Sequence, residues 1–323
     1  MTDAIRTESL TKRFPDRAAP GEAEPAAAVD GLTLRVAEGE IFGLVGPDGA
    51  GKTTTMRLLE SIMEPTSGDA WVAGLHTVRD AEAIKERIGY MSRRFGLYPD
   101  LTVMENIVFY ADIYGVPKRE RLDRIARLLA FSGLAEFESR LAGNLSGGMK
   151  QKLGLACALV HTPRVLFLDE PTNGVDPVSR RDFWRILYQL LREKATIFIS
   201  TAYLDEAERC NRLGLIDHGR LLACGTPDEI KQLMRGEIVE IRTADSRRAV
   251  SLLRREFPGL PVGLFGDRIH AVTGEPEALL RQARGVLEAG GVPVLEARRV
   301  EPILEDVFVS VLTAHEGTPD ERR

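Results

Sequence analysis

Gly46-Pro47-Asp48-Gly49-Ala50-Gly51-Lys52-Thr53 is the stretch whose reading decides the fold of this chain. It fits the phosphate-loop pattern G-x-x-x-x-G-K-[ST], and it lies between an apolar run, Ile41 to Val45, and a helix expected to begin near Lys52. That context gives the pattern its weight. Glycines allow backbone N–H groups to converge on phosphate oxygens, and the helix N-terminus adds positive potential. Lys52 then reaches the β- and γ-phosphates, and Thr53 offers a hydroxyl to magnesium. The plain alternative is a glycine-rich turn.

A second stretch supplies what the first lacks. Val165-Leu166-Phe167-Leu168-Asp169-Glu170 reads as a buried strand that delivers two carboxylates to the edge of a sheet. Asp169 is suited to hold magnesium through water, and Glu170 to polarise an attacking water as general base. Without the phosphate loop, the pair would read as a solvated strand end before the Pro171 turn.

The rest of the chain organises around these two motifs. Leu32 to Ala37 reads as a strand joined to Ile41–Val45 by the Glu38-Gly39-Glu40 turn, whereas Asp16 to Ala28 has no apolar period and reads as an exposed insertion. Val165–Leu168 and Thr196–Ser200 are short apolar runs, each following a helical stretch, which predicts a parallel sheet. Helical spacing in Glu120–Phe131 and Met149–Leu159 predicts a helical middle section. Beyond Gly225-Thr226-Pro227 the motifs end. Ile238–Arg242, Ala249–Phe257, Ile269–Val272, Glu277–Ala289 and Val292–Arg298 then read as a small α+β module, with a frayed tail from His315.

Composition narrows the class. With 323 residues, 44% of them hydrophobic, the chain can bury a substantial core. Its 43 basic against 48 acidic residues give a formal charge of −5, which argues against nucleic acid as the partner. Cys157, Cys210 and Cys224 match no zinc spacing and suggest free thiols in a reducing compartment. No run approaches the roughly 18 apolar residues of a membrane span, and the N-terminal stretch does not read as a signal peptide.

Leu145-Ser146-Gly147-Gly148-Met149-Lys150-Gln151, just ahead of the Asp169-Glu170 strand, resembles the signature motif of ATP-binding cassette proteins. By itself Ser146-Gly147-Gly148 also reads as a helix N-cap. The resemblance covers roughly Ile5 to Glu229. It implies an α/β P-loop NTPase cassette at 1–229, with a parallel sheet core, an antiparallel β subdomain and a helical subdomain at about 93–160, followed by an accessory α+β domain at 230–323. The implied ligands are ATP and Mg2+, held by Phe14, Gly46, Asp48, Gly49, Ala50, Gly51, Lys52, Thr53 and Thr54, with Thr53 and Asp169 on the metal and Glu170 as the catalytic carboxylate. Phe14, where the family stacks an aromatic ring on adenine, also reads as a strand-end residue packed on the core.

In the family two cassettes stack head to tail, so Ser146, Gly147, Gly148 and Gln151 are expected to act in trans on a second cassette's nucleotide. Asn173-Gly174-Val175-Asp176 matches the loop that bridges the two sites, with Asp176 as its acidic member. The run Phe95 to Thr102 and the tail motif Glu301 to Phe308 look like the motor subunits of type-2 exporters of drugs, lipids or polysaccharides. That implies a membrane-spanning permease on a separate chain and a cytoplasmic cassette lying against the inner face of the cell membrane.

Two positions depart from the family pattern. A glutamine that helps to ligate magnesium is expected after Gly89-Tyr90, but Arg93 stands there, between Ser92 and Arg94. Arginine offers donors and a fixed charge and no acceptor. After Thr196–Ser200 the family places a histidine against the γ-phosphate, and this chain has Ala202. Loss of one such donor typically costs about 100-fold to 1,000-fold in rate. His76, His161, His218, His270 and His315 are scattered and offer no obvious replacement. Two functions therefore compete: a transport ATPase that is slow at its own phosphate loop, and a nucleotide-holding regulatory or structural cassette. A soluble cassette acting on ribosomes or DNA is disfavoured, because neither a second cassette nor a long coiled-coil insertion is present.

Overall fold

The computed structural model describes residues 2–15, 26–93, 96–234, 236–308 and 310. Residues 16–25 of the insertion, Arg94, Phe95 and the tail from His315 lie outside that set. The chain divides into two compact units between Cys224 and Gly225.

The first unit combines two sheets. β1 (Asp3–Arg13) pairs antiparallel with β2 (Ala27–Ala37), so the strand begins before the Leu32 that periodicity suggested. Along β2, Val29, Leu32, Leu34 and Val36 are buried in near-alternation, as expected of a strand with one face on the core. β3 (Ile41–Val45) is buried at every position and runs into the phosphate loop, after which α1 (Lys52–Leu59) begins. β4 (Ser67–Val72) and β5 (Leu75–His76) complete the antiparallel sheet in the order β2-β1-β4-β5.

The chain then crosses through α2 (Ala81–Lys85) to β6 (Ile88–Met91). A helical section follows, built from α3 (Val103–Ile113), α4 (Lys118–Ser132) and α5 (Gly147–Leu159). Its own core includes Val103, Ile107, Ile125, Leu129, Leu153 and Ala156. A capping box between Thr102 and Glu105 opens α3. Buried Asn106 ties the preceding loop down, donating from Nδ2 to the carbonyls of Tyr98, Leu101 and Thr102.

β7 (Val165–Asp169), α6 (Pro177–Arg192), β8 (Thr196–Thr201), α7 (Leu204–Ala207), β9 (Arg212–Asp217) and β10 (Arg220–Gly225) finish this unit. The second sheet has the order β10-β9-β3-β8-β7-β6, and β6–β7, β7–β8, β8–β3 and β3–β9 are all parallel. Every residue of β3, β7 and β8 is buried, which is why these strands read as unbroken apolar runs. Trp184 and Phe183 of α6 pack on the same core as Leu166, Leu168 and Ile199.

The second unit starts with α8 (Pro227–Lys231), opened by a capping box between Thr226 and Glu229. It continues as β11 (Glu237–Thr243), α9 (Ser246–Glu256), β12 (Val262–Phe265), β13 (Arg268–Thr273), α10 (Pro276–Ala289) and β14 (Val294–Val300). The antiparallel order β12-β13-β11-β14 makes this a split βαβ, ferredoxin-like unit. β12 escaped periodicity because its four residues include Gly263 and lie between Pro261 and Gly266. Val239 and Ile241 pack on Ala249, Leu253, Leu279 and Leu287 of the helices.

Glu240 of β11 is also buried, and its charge is met by Arg298 at 3.0 Å, Arg268 at 2.9 Å and His270 at 3.4 Å. Arg298 is thus part of this cluster. His270 Nδ1 lies 2.8 Å from buried Asp306. Burial alone would lower the His270 pKa, but hydrogen bonds and charge from Asp306 and Glu240 outweigh it and raise the value. The imidazolium therefore contributes stability that is full below the unfolded value of 6.5 and is lost as pH rises through the higher folded value. Urea unfolding should accordingly show that His270→Gln destabilises the chain more at about pH 6 than at about pH 9.

Candidate functional site

β3, β8 and β7 are neighbours and parallel, so their carboxyl ends arrive together, with Val45 opposite Thr201 and Asp169 opposite Ser200. The crevice outside such strand ends is the usual binding place of an open α/β sheet. The phosphate loop is stitched to it by Gly46 N donating to the Thr201 carbonyl at 3.3 Å. Gly51 caps α1 at φ +106°, where an L side chain is strained and a Cβ would strike the Ala28 carbonyl. At Gly49, φ +85°, the space a side chain would take is open, which leaves a backbone cradle of the kind phosphate oxygens fill.

Lys52 is buried and holds its ammonium at this cradle, donating to the carbonyls of Gly46 at 2.7 Å and Pro47 at 2.9 Å and pairing with Glu170 at 3.3 Å. Thr53 Oγ1 lies 3.1 and 3.3 Å from the two carboxylate oxygens of Asp169. A hydroxyl and a carboxylate so close together fit magnesium, a hard cation that takes few protein ligands and fills its shell from phosphate and water.

Glu170 adopts φ +46°, a left-handed conformation uncommon outside glycine, and the bend turns its side chain away from the strand. Its N–H is held by the Ser200 carbonyl at 3.1 Å and Ser200 Oγ at 3.0 Å, while the same hydroxyl donates to Asp169 Oδ1 at 2.5 Å. Both carboxylate oxygens of Glu170 are engaged: Oε1 by Lys52, Oε2 by Arg93 Nε at 3.3 Å and by Asn173 Nδ2 at 3.2 Å. Arg93, 54% exposed, thus spends its charge on the candidate base itself.

The model of the ABC transporter family matches residues 29–173. The probable multidrug ABC transporter ATP-binding protein YbhF of Escherichia coli strain K12 is 43% identical over 97% of this chain, which spans 53% of that relative, about half its length. The daunorubicin resistance ATP-binding protein DrrA2 of Streptomyces coeruleorubidus is 36% identical, with 97% of this chain and 95% of that one aligned. The chain belongs to the ATP-binding proteins of ABC transporters. A solved ATP-binding subunit of an ABC transporter superposes with a TM-score of 0.62 at 28% identity, over 71% of this chain and 92% of that one.

The remaining residues of the cassette expected at its site fall in different places. Thr54 lies on α1 beside Thr53, and Asp48 and Ala50 lie in the loop, Ala50 buried and accepting from Gly219 N at 2.9 Å. Phe14 is half-buried, with Lys12 Nζ 5.5 Å above its ring. Ser146 caps α5, its Oγ accepting from Met149 N at 3.3 Å, and among the described residues no hydrogen bond joins Ser146, Gly147 or Gly148 to the phosphate loop. Asp176 caps α6 by accepting from Val178 N at 3.1 Å and Ser179 N at 3.0 Å. Those bonds to Ser179 hold its carboxyl below the usual range. Ala202 is exposed just past the end of β8.

Gln151 is fully buried, and its amide donates to the Pro171 carbonyl of the same chain, so it joins the signature helix to the turn after Glu170. Ser200 is a residue of this site that sequence reasoning left without a role, and Asn173 was placed there only as part of the bridging loop. The one signal for Ser200 was a hydroxyl at the end of an otherwise apolar strand.

A buried carboxyl also stands behind this site. Glu60, 1% exposed at the end of α1, has no hydrogen-bond partner for either oxygen among the described residues. Burial, reinforced by the charge of Asp169, pushes its pKa up to about 8. Because the folded value exceeds the unfolded 4.5, stability from this group falls as pH rises between them. Glu60→Gln should flatten that decline, so that its unfolding free energy from urea titration exceeds that of wild type at about pH 9 by on the order of a few kcal/mol. Ser200→Ala removes the hydroxyl shared by Asp169 and Glu170. It should cost about 1–3 kcal/mol in unfolding free energy and lower Mg-ATP turnover while ATP binding, measured by calorimetry, is retained.

Proposed function

We propose that this cassette binds magnesium-ATP and hydrolyses it to ADP and phosphate in order to drive export through a membrane-spanning permease on a separate chain. The observation that carries the reading is the convergence of Lys52, Thr53, Asp169 and Glu170 at the ends of three adjacent parallel strands. In this reading the loop amides and Lys52 bind and orient the β- and γ-phosphates, and Phe14 packs on the adenine. Thr53 and Asp169 would hold magnesium, which neutralises charge on the phosphate oxygens when bound. Glu170 takes a proton from the water that attacks the γ-phosphorus as the bond to the β-phosphate oxygen breaks.

For Glu170 to act, its Oε2 must turn from Arg93 to that water. Arg93 holds it, and Ala202 adds no donor to the γ-phosphate, so slow turnover is the expected property of this site. Pairing with a second cassette whose own site has the family's glutamine and histidine gives the arrangement a purpose: Ser146, Gly147 and Gly148 here would complete the partner's site. The drug-related names of the relatives support export, and no described helix is long and apolar enough to cross a membrane, in keeping with a peripheral cassette at the inner face of the cell membrane. We place the cassette at 1–229, its helical subdomain at about 93–160, and an accessory domain at 230–323. The Arg93–Glu170 ion pair also favours a second reading, a cassette that closes on ATP as a regulatory or structural element and hydrolyses little.

Equilibrium ATP binding and magnesium-dependent turnover of the chain, compared with the Arg93→Gln/Ala202→His double substitution, separate the readings. Tight binding with turnover near background, rising on the order of tenfold or more in the double substitution, is the expected result. Robust turnover that the substitutions leave unchanged would point instead to a self-sufficient homodimeric motor.

A further inference from the structure

The residue after Ala202 is built into the surroundings of Glu170. Tyr203 Oη lies 3.5 Å from Asn173 Oδ1, and Asn173 Nδ2 lies 3.2 Å from Glu170 Oε2. The directions of these bonds follow from chemistry. A carboxylate oxygen only accepts, so the amide nitrogen of Asn173 faces Glu170; its carbonyl oxygen therefore faces Tyr203, and the phenol must donate. Donation to an amide oxygen polarises the amide and makes its N–H a better donor at the far end.

The ring itself is held. Arg180 of α6 stacks its guanidinium on Tyr203 at 4.6 Å and is in turn fixed by Asp205 at 3.6 Å and by buried Glu206 at 3.5 Å. Glu206 accepts from the hydroxyls of Thr172 and of Thr201, so both flanks of the assembly, the turn after Glu170 and the end of β8, are tied to one carboxylate. Tyr203 N also donates to Thr201 Oγ1 at 2.9 Å. These contacts hold the ring with its phenol beside Asn173.

Asn173 and Arg93 meet Glu170 at the same oxygen. A neutral amide and a guanidinium thus share that oxygen, each pulling it along its own direction. We infer that Tyr203 is a positioning residue for the hydrolytic reaction: through Asn173 it orients Glu170 against the pull of Arg93, on the side of the site where Ala202 supplies nothing. The inference rests on the proposed hydrolysis for its catalytic consequence, and on the contact alone for its structural one.

Tyr203→Phe keeps the ring and its stacking on Arg180 and removes only the donor. In single-turnover measurements with labelled ATP, it should lower the rate by about threefold to tenfold, the worth of one neutral hydrogen bond, while the dissociation constant for ATP stays within about twofold. Asn173→Ala should do the same, and the double substitution should be no worse than Asn173→Ala alone. In the Arg93→Gln background, where the competitor is gone, the Tyr203→Phe effect should shrink. An unchanged rate in Tyr203→Phe, or independent multiplicative effects of the two substitutions, would overturn the relay. A readout that needs no hydrolysis keeps the two ideas apart: the side-chain amide resonances of Asn173, recorded without nucleotide, should shift in Tyr203→Phe. If they do not move, the relay is wrong however fast the chain hydrolyses ATP. If they move in a chain that hydrolyses nothing, the contact stands and the ATPase reading fails.

Discussion

The parallel register that sets Asp169 opposite Ser200 is the constraint on which the rest of this site depends. Because the strands run the same way, their carboxyl ends open on one edge, and a single buried hydroxyl there can reach two consecutive residues of the neighbouring strand. Ser200 Oγ holds the Asp169 carboxylate and the Glu170 amide at once. With Asp169 fixed, Thr53 can meet it from the first turn of α1, and with the Glu170 backbone turned to φ +46°, that side chain leaves the sheet toward Lys52. A one-residue slip would send both carboxylates to the wrong faces.

Charge is distributed around these carboxylates according to burial. Glu170 lies between two cationic side chains, Lys52 and Arg93, and Asp169 lies against the Thr53 hydroxyl. Glu60 lies close enough for Asp169 to influence it and has no hydrogen-bond partner among the described residues, so that burial outweighs the opposing charge of Arg57 and its pKa is raised. Arg93 is the exception to an arrangement otherwise suited to hydrolysis. It places a permanent charge on the candidate base, where a glutamine would have offered a neutral acceptor.

The second unit solves a different problem with the same rule. Its sheet buries Glu240, and three cationic groups from neighbouring strands, Arg268, His270 and Arg298, gather on that one carboxylate. Asp306 reaches the other side of His270 and also accepts from Ile303 N, fixing the segment after β14 to the sheet. A buried charge left alone would cost more than the fold can bear, so the cluster comes as a set.

Much of this was open to reading in the linear chain. The phosphate loop, the Asp169-Glu170 strand and the signature helix each carry residue types that only a narrow chemistry explains, and buried parallel strands announce themselves as short apolar runs. The Arg93 and Ala202 departures were legible too, because they are substitutions within recognisable motifs. Other features depend on which strands become neighbours and which side chains then meet. The dual role of Ser200, the Arg93–Glu170 pair, the inward course of Gln151 and the Tyr203–Asn173–Glu170 contact all join residues separated by turns whose path sequence periodicity does not encode. β12 was missed because four residues with a glycine among them are too few to show a period. Identity of the candidate groups thus followed from the sequence by itself, since chemistry resides in residue types. Their orientation and competition were decided only by the tertiary structure, since hydrogen bonds and ion pairs act over about 3 Å and depend on the packing that brings distant segments together.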